Sequence, residues 1–256
     1  MRRVIRYVSA ISVFWVLVAT PPIQAEELAR VPNLDSRIAE FQAQRKGPGP
    51  NERQRAVMNK AAEDLAAALP KPGLDVGTRA PDFALPSAYG ETVRLSEQLT
   101  QGPVILAFYR GAWCPYCNLQ LRALKESQSH FERYGAQLIA VTPQTPDRSL
   151  EQYSKDAYPF QILSDLDDSV MKAYNLYFEV PDALRSVYIQ DFNLDIAAYN
   201  GNGRYGLPVP GTFIIDRQGI VRAVFADTEY KKRMEPAAII EALVDIERAQ
   251  GGVQAP

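Results

Sequence analysis

Val104-Ile105-Leu106-Ala107-Phe108-Tyr109-Arg110-Gly111-Ala112-Trp113-Cys114-Pro115-Tyr116-Cys117 contains the only two cysteines of this 256-residue chain. Its first six residues are continuously apolar over the length of a strand, the pattern of a central strand buried on both faces. From Pro115 to Arg133, Leu119, Leu121, Leu124 and Phe131 are interleaved with polar residues, which predicts a helix. The cysteine pair therefore sits at a strand-to-helix junction. A bridge between positions three apart restricts almost no chain, because the loop-closure gain grows with loop length. Zinc normally needs four ligands, and the chain has no second cysteine pair and a single histidine, His130, read as a surface or half-buried helix residue. A lone C-x-x-C with neither role is a redox pair.

Beyond this stretch, short β-rich runs alternate with helical ones from Gly77 onward, predicting an α/β fold with a central sheet flanked by helices. Residues 138–141 and 160–163 read as strands, and 147–155, capped by Asp147, and 168–176 as helices. Residues 212–216 and 220–225 form a hairpin around Arg217-Gln218-Gly219, and Pro236 opens a last helix with Ile239, Ile240, Leu243 and Ile246 inward. Residues 179–207 lack periodicity and read as an inserted loop region with a turn at Asn200-Gly201-Asn202-Gly203. Asp82 and Asp216 read as turn and strand-end residues, and Glu235 as a helix start. On the N-terminal side, Leu34, Ile38 and Phe41, then Val57, Ala61, Leu65 and Leu69, recur at helical spacing around a Gly/Pro break at 47–50. These predict a helical hairpin that serves in packing or in a homodimer contact.

The first 25 residues carry Arg2, Arg3 and Arg6 and no acid, with an apolar run over 7–19 and a small residue at Ala25. A run this short is the layout of a cleaved secretory signal, since a membrane span needs roughly 20 apolar residues. The domain plan is thus a signal peptide over 1–25, a helical extension over 26–73 and the α/β domain over 74–256, with export to the periplasm. Removing three arginines and no acid takes the formal net charge from −2 to −5. That charge excludes a nucleic-acid footprint. No other stretch is apolar enough to span a membrane, and neither a metal nor an organic cofactor is called for.

A cysteine at a helix N-terminus gains acidity from unpaired backbone N–H groups and the helix dipole. On that ground Cys114 is the more exposed and more acidic thiol. Arg110 is the cation nearest in sequence, suited to hold a thiolate or a peroxide oxygen. Trp113 is a packing residue that shields the pair.

At these residues the chain resembles a known family. Strand-Trp-Cys-x-x-Cys-helix is similar to thioredoxin, while Ala80-Pro81-Asp82-Phe83-Ala84-Leu85 with Gly90, residues 108–117, Ile162-Leu163-Ser164-Asp165 and Pro210-Gly211-Thr212-Phe213-Ile214-Ile215-Asp216 resemble peroxiredoxins of the alkyl hydroperoxide reductase C / thiol-specific antioxidant family, in a form with C-P-Y-C. The resemblance covers about residues 74–246 and implies a thioredoxin-like fold with extra elements. It implies catalytic roles for Cys117 and Cys114, with Arg110, Trp113, Pro115, Pro210 and Thr212 in support. The family pattern P-x-x-x-T-x-x-C places Cys117 on the peroxidatic cysteine, Cys114 on the threonine and Arg110 on the proline, and the family's second arginine falls on Pro210. Pro210 also matches the cis-proline of thioredoxin-like reductases, so the Val209–Pro210 bond is expected to be cis.

The resemblance implies a thiol peroxidase acting on hydrogen peroxide or organic hydroperoxides and recycled by a thioredoxin-like reductant. The alternatives are a thiol-disulfide oxidoreductase attacking protein disulfides through Cys114, and a redox-sensing module. Helix position favours Cys114 as the reactive thiol and the family register favours Cys117, which is preferred because the whole-domain likeness involves more residues.

Overall fold

The computed structural model describes residues 30–251. The leader read at 1–25 lies outside them. In chain order the elements are α1 (Leu34–Ala43), α2 (Glu52–Ala68), β1 (Ala84–Pro86), β2 (Thr92–Arg94), α3 (Leu95–Gln101), β3 (Val104–Phe108), α4 (Pro115–Glu126), α5 (Gln128–Glu132), β4 (Gln137–Thr142), α6 (Pro146–Asp156), β5 (Gln161–Ser164) and α7 (Ser169–Ala173). There follow β6 (Tyr177–Glu179), α8 (Asp182–Ser186), a π-helical turn (Val187–Asp191), α9 (Ala197–Asn200), β7 (Gly206–Pro208), β8 (Gly211–Ile215), β9 (Val221–Ala226) and α10 (Pro236–Gly251).

The five-stranded mixed sheet runs in the order β5-β4-β3-β8-β9. Every residue of β3 is buried, as its unbroken apolar run requires of a strand covered on both faces. It pairs in parallel with β4, Val104 opposite Gln137, and antiparallel with β8, Phe108 opposite Gly211. Alternate side chains serve opposite faces. Val104, Leu106 and Phe108 join a core with Phe83, Met171, Tyr174, Val209 and Phe213. Ile105 and Ala107 point to the opposite face and are equally buried, and the last helix, with Ile239, Ile240 and Leu243 buried, packs against strands β8 and β9.

Several boundaries differ from the sequence reading. The helix expected through Arg133 breaks at Ser127, whose hydroxyl donates to the Ala123 carbonyl at 2.8 Å, so that α5 is separate and holds the half-buried His130. Thr145 rather than Asp147 is the N-cap of α6, because Pro146 takes the first helical position and leaves Asp147 in the first turn. The helix expected over 168–176 is only α7, entered through Asp168 in the left-handed region at φ 64°. Asp82 does not hold a turn: it accepts from the Ser96 N–H at 2.9 Å, in the first turn of α3 and 14 positions along the chain, whereas Asp216 closes the hairpin by accepting from the Gln218 and Ile220 N–H groups at 2.9 and 2.8 Å.

The two N-terminal helices form as the apolar spacing predicts, but they pack mainly on different parts of the domain instead of closing on each other as a hairpin. Helix α1 lies on α4, with Phe41 edge-on to Tyr116 at 5.6 Å and Arg37 paired to Glu126 at 2.7 Å. Helix α2 lies on α8; Val57, Met58 and Ala61 reach one apolar cluster, and Leu65 and Leu69 the main core. The region read as an inserted loop is ordered. Its Val180, Leu184, Ile196 and Leu207 form a small core of their own, against which Trp113, Phe178, Tyr188 and Tyr205 pack.

Candidate active site at the cysteine pair

Strand β3 ends at Phe108 and α4 begins at Pro115, so the six residues between them turn the chain from the sheet into the helix. Gly111 makes the turn possible. Its φ is +143°, and a Cβ there would lie 2.5 Å from the Trp113 indole nitrogen, so only glycine fits. The Ala112 N–H donates to the Gln144 side-chain oxygen at 3.0 Å, and Asn118 returns a bond to the Ala112 carbonyl at 2.8 Å. Gln144 in turn donates to the Tyr109 hydroxyl at 3.3 Å and the Ser149 hydroxyl at 3.1 Å. This buried network anchors the turn to β4 and α6.

Cys114 is the N-cap of α4, and Pro115, exposed, occupies the first helical position, where its missing N–H leaves nothing unsatisfied. Cys117 lies one turn in. Both are free thiols and both are shut from solvent, at 1% and 0% exposure. The expectation that Cys114 would be the exposed, acidic thiol is corrected here. A hydrogen bond to Cys117 and burial hold Cys114 well above the ordinary thiol range. At Cys117 burial works against ionisation, yet the hydrogen bond from Cys114, the charge of Arg233, the Arg110 backbone N–H and the Arg110 charge outweigh it and bring the thiol down to about 5. The helix end alone does not decide acidity, because side-chain cations face the inner sulfur.

Arg233 is the residue that sequence reading missed. It lies in the loop before α10 and its Nη2 donates to Cys117 Sγ at 3.4 Å across 116 positions of sequence. Its Nη1 is held by the Tyr230 and Lys232 carbonyls, the latter at 2.7 Å. Its signal was a basic run, Lys231-Lys232-Arg233, ahead of a Pro-initiated helix, which on sequence alone is a solvated stretch.

Arg110, anticipated from its closeness in sequence, is indeed at the site. It is 5% exposed, its Cζ lies 4.9 Å from the ring centres of both Trp113 and Tyr230, and its Nη2 donates to the Tyr188 hydroxyl at 3.0 Å. Trp113 packs over Arg110 and beside Tyr188, their ring centres 6.4 Å apart. Thr212 accepts from Gln120, one turn beyond Cys117, at 3.2 Å. Pro210 is buried beside Gly211, which pairs with the last residue of β3.

No peptide bond among the described residues is cis, so the cis Val209–Pro210 expectation is also corrected. Val209 is held extended by its N–H bond to the Leu176 carbonyl at 2.7 Å and buries its side chain in the core. Pro210 immediately precedes β8, outside its paired residues, where its missing N–H costs the sheet no hydrogen bond.

Residues 76–224 match the AhpC/TSA family, and the chain belongs to it. Its mixed sheet flanked by helices is the thioredoxin-like fold of peroxiredoxin structures. The Peroxidoxin BcpB structure from Mycobacterium tuberculosis superposes with a TM-score of 0.53 at 19% identity, covering 71% of this chain and 99% of that one. In sequence the chain is similar to Peroxiredoxin Bcp of Escherichia coli K12, 26% identical over 60% of this chain and 86% of the relative. It is also similar to Thiol-disulfide oxidoreductase ResA of Geobacillus kaustophilus, 28% identical over 64% of this chain and 77% of the relative. Among the described residues there is no cluster of acids, histidines and cysteines placed to hold a metal, and no helix is long and apolar enough to cross a membrane.

Proposed function

We propose that this chain is an exported thiol peroxidase in which Cys117 meets the peroxide and Cys114 resolves. One observation carries the reading: the inner, fully buried sulfur is the one that Arg233 reaches, at 3.4 Å, and the cations beside it draw its pKa down. A small peroxide needs an ionised sulfur and donors for its oxygens, and this site offers both. A protein disulfide needs an exposed, acidic N-terminal cysteine, which Cys114 is not.

In the first step the Cys117 thiolate attacks the near oxygen of ROOH. The O–O bond breaks, the departing RO⁻ takes a proton to leave as ROH, and Cys117 becomes a sulfenic acid. Arg233, already within reach of the sulfur, would donate to the oxygens as charge moves onto them; it fills the part that the family pattern gives to an arginine at the position of Pro210. Cys114 then attacks the sulfenic sulfur, releasing water and forming the disulfide, and an external dithiol of the thioredoxin type supplies two electrons to restore the pair.

The likeness to ResA supports a second reading, reduction of protein disulfides. Steady-state peroxide loss and insulin disulfide reduction, measured on the same protein with the same reductant, separate the two. We expect sustained peroxide loss, abolished in Cys117→Ser, and a sulfenic acid trapped on Cys117 in Cys114→Ser. Insulin reduction without peroxide turnover would overturn the proposal. Export is tested by N-terminal sequencing: a start at Glu26 is expected, and an intact Met1 in a cytosolic fraction contradicts it.

A further inference from the structure

Buried charges in proteins are ordinarily paired, because leaving one uncompensated in a low-dielectric interior is costly. The thiol site departs from this rule. Arg110 and Arg233 are each 5% exposed, and among the described residues neither forms an ion pair or hydrogen bond with a carboxylate. The groups that face them are Tyr188, Tyr230, Cys114 and Cys117, of which Cys117, the sulfur that Arg233 reaches, is the one whose pKa is drawn down. Three buried donors at this site also lack any acceptor: Arg110 Nε, Arg233 Nε and the Trp113 indole N–H.

We propose that the cluster of unpartnered donors on Arg110, Arg233 and Trp113 is a binding site for a small monoanion, a halide or a one-carbon carboxylate, and that it binds the disulfide form of the protein more tightly than the dithiol form. The direction follows from charge. With Cys117 ionised and Cys114 protonated, the two guanidiniums and one thiolate leave a net charge of +1. Disulfide formation removes the thiolate and leaves +2, with the same donors still unpartnered. An anion entering then offsets a larger excess, and the sulfur no longer competes for Arg233. The size follows from the burial: with both arginines only 5% exposed, the site suits an anion of one to three heavy atoms and excludes a large one.

Coupling between sites is reciprocal. An anion that prefers the disulfide form makes that form harder to reduce by the same factor, so small anions would slow recycling and compete with peroxide for the reduced site. The proposal rests on the reading that Cys114 and Cys117 cycle, but not on what oxidises them.

The test is a redox titration of the full-length protein against oxidised and reduced dithiothreitol at neutral pH, with the disulfide fraction read by thiol alkylation and intact mass. Potassium formate replaces potassium gluconate at constant ionic strength. Formate is expected to shift the equilibrium at least tenfold toward the disulfide, about 30 mV for a two-electron couple. Gluconate, too large to enter, is the reference. Arg233→Gln and Arg110→Gln should each shrink the shift.

Because either substitution can disturb folding, chloride-35 line broadening of the unmodified protein is the second measurement. Broadening should be greater for the disulfide form and reversed by formate. Equal midpoints in formate and gluconate, or greater broadening in the dithiol form, would overturn the proposal. Peroxide turnover is not used in either measurement. A protein that shows the formate shift without reducing peroxide loses the peroxidase reading and keeps the anion site, and the converse result removes only the site.

Discussion

A thiol moved from water into a protein interior loses acidity, because burial penalises the thiolate. Cys117 reverses that through named partners, and Arg233 is the strongest of its charged ones. Replacing Arg233 with glutamine keeps a donor and removes the charge, so the Cys117 midpoint should rise from near 5. Below the midpoint each unit of rise lowers the thiolate fraction about tenfold. Following thiolate absorbance in the ultraviolet against pH should give an acid midpoint for the wild type and a clearly higher one for Arg233→Gln. The rate of sulfenic acid formation at pH 6 should fall in parallel. An unchanged midpoint would mean that the Cys114 hydrogen bond and the Arg110 N–H suffice alone. The two cysteines, Arg110 and Trp113 were legible in the sequence because they share one short stretch. Arg233 was not, because nothing local distinguishes a buried arginine reached through the fold from a solvated one.

Helix α1 begins under a carboxylate borrowed from the far end of the chain: Glu235 accepts from the Leu34 and Asp35 N–H groups at 2.8 and 2.7 Å. Its own backbone starts α10, with the Ile239 N–H donating to its carbonyl at 3.2 Å, so one residue ties two helix starts together. A carboxylate on first-turn N–H groups is worth about 1 kcal/mol. Glu235→Ala should lower urea stability by about that amount and increase amide exchange in α1 beyond that in α10. Equal loss of protection in both helices would show a global effect instead.

In the 179–207 region, helices of five and four residues are too short to display a period, and their apolar residues face a local cluster instead of the main core. That is why this stretch reads as loop. Leu184, buried in that cluster, should cost about 2–4 kcal/mol when cut to alanine. Since Tyr188 packs on the same cluster and holds Arg110, faster reaction of Cys114 with a bulky maleimide is expected alongside the lost stability.

The architecture of the whole molecule was legible where pattern is long-range and repetitive: the buried β3 run, the β8–β9 hairpin around Arg217-Gln218-Gly219 and the final amphipathic helix all form as the periodicity indicates. What the pattern leaves out is placement, such as α1 on α4 and α2 on the 179–207 cluster, since an apolar helix face does not name its partner.

Placement also decides how oxidation acts on the fold. On chain entropy alone, closing a four-residue loop stabilises by about 2 kcal/mol. Against this, the dithiol form gains from an ionised Cys117 that the disulfide form lacks. Cys117 has a folded value near 5, below its unfolded value, so its contribution is full above the unfolded thiol range near 8.5 and is lost as pH falls toward about 5. Cys114 is raised, so its contribution is intact below the unfolded thiol range and is lost above it. The stability of the dithiol form relative to the disulfide form should therefore climb from pH 5, peak near pH 8.5 and decline beyond. Urea midpoints of the two forms, measured at matched pH values across that span, give the curve directly. A difference that stays flat with pH would show that Cys117 is an ordinary buried thiol and that its arginines do not hold a thiolate. A curve that keeps climbing past the unfolded thiol range instead of declining would mean that Cys114 ionises at lower pH than its bond to Cys117 and its burial dictate.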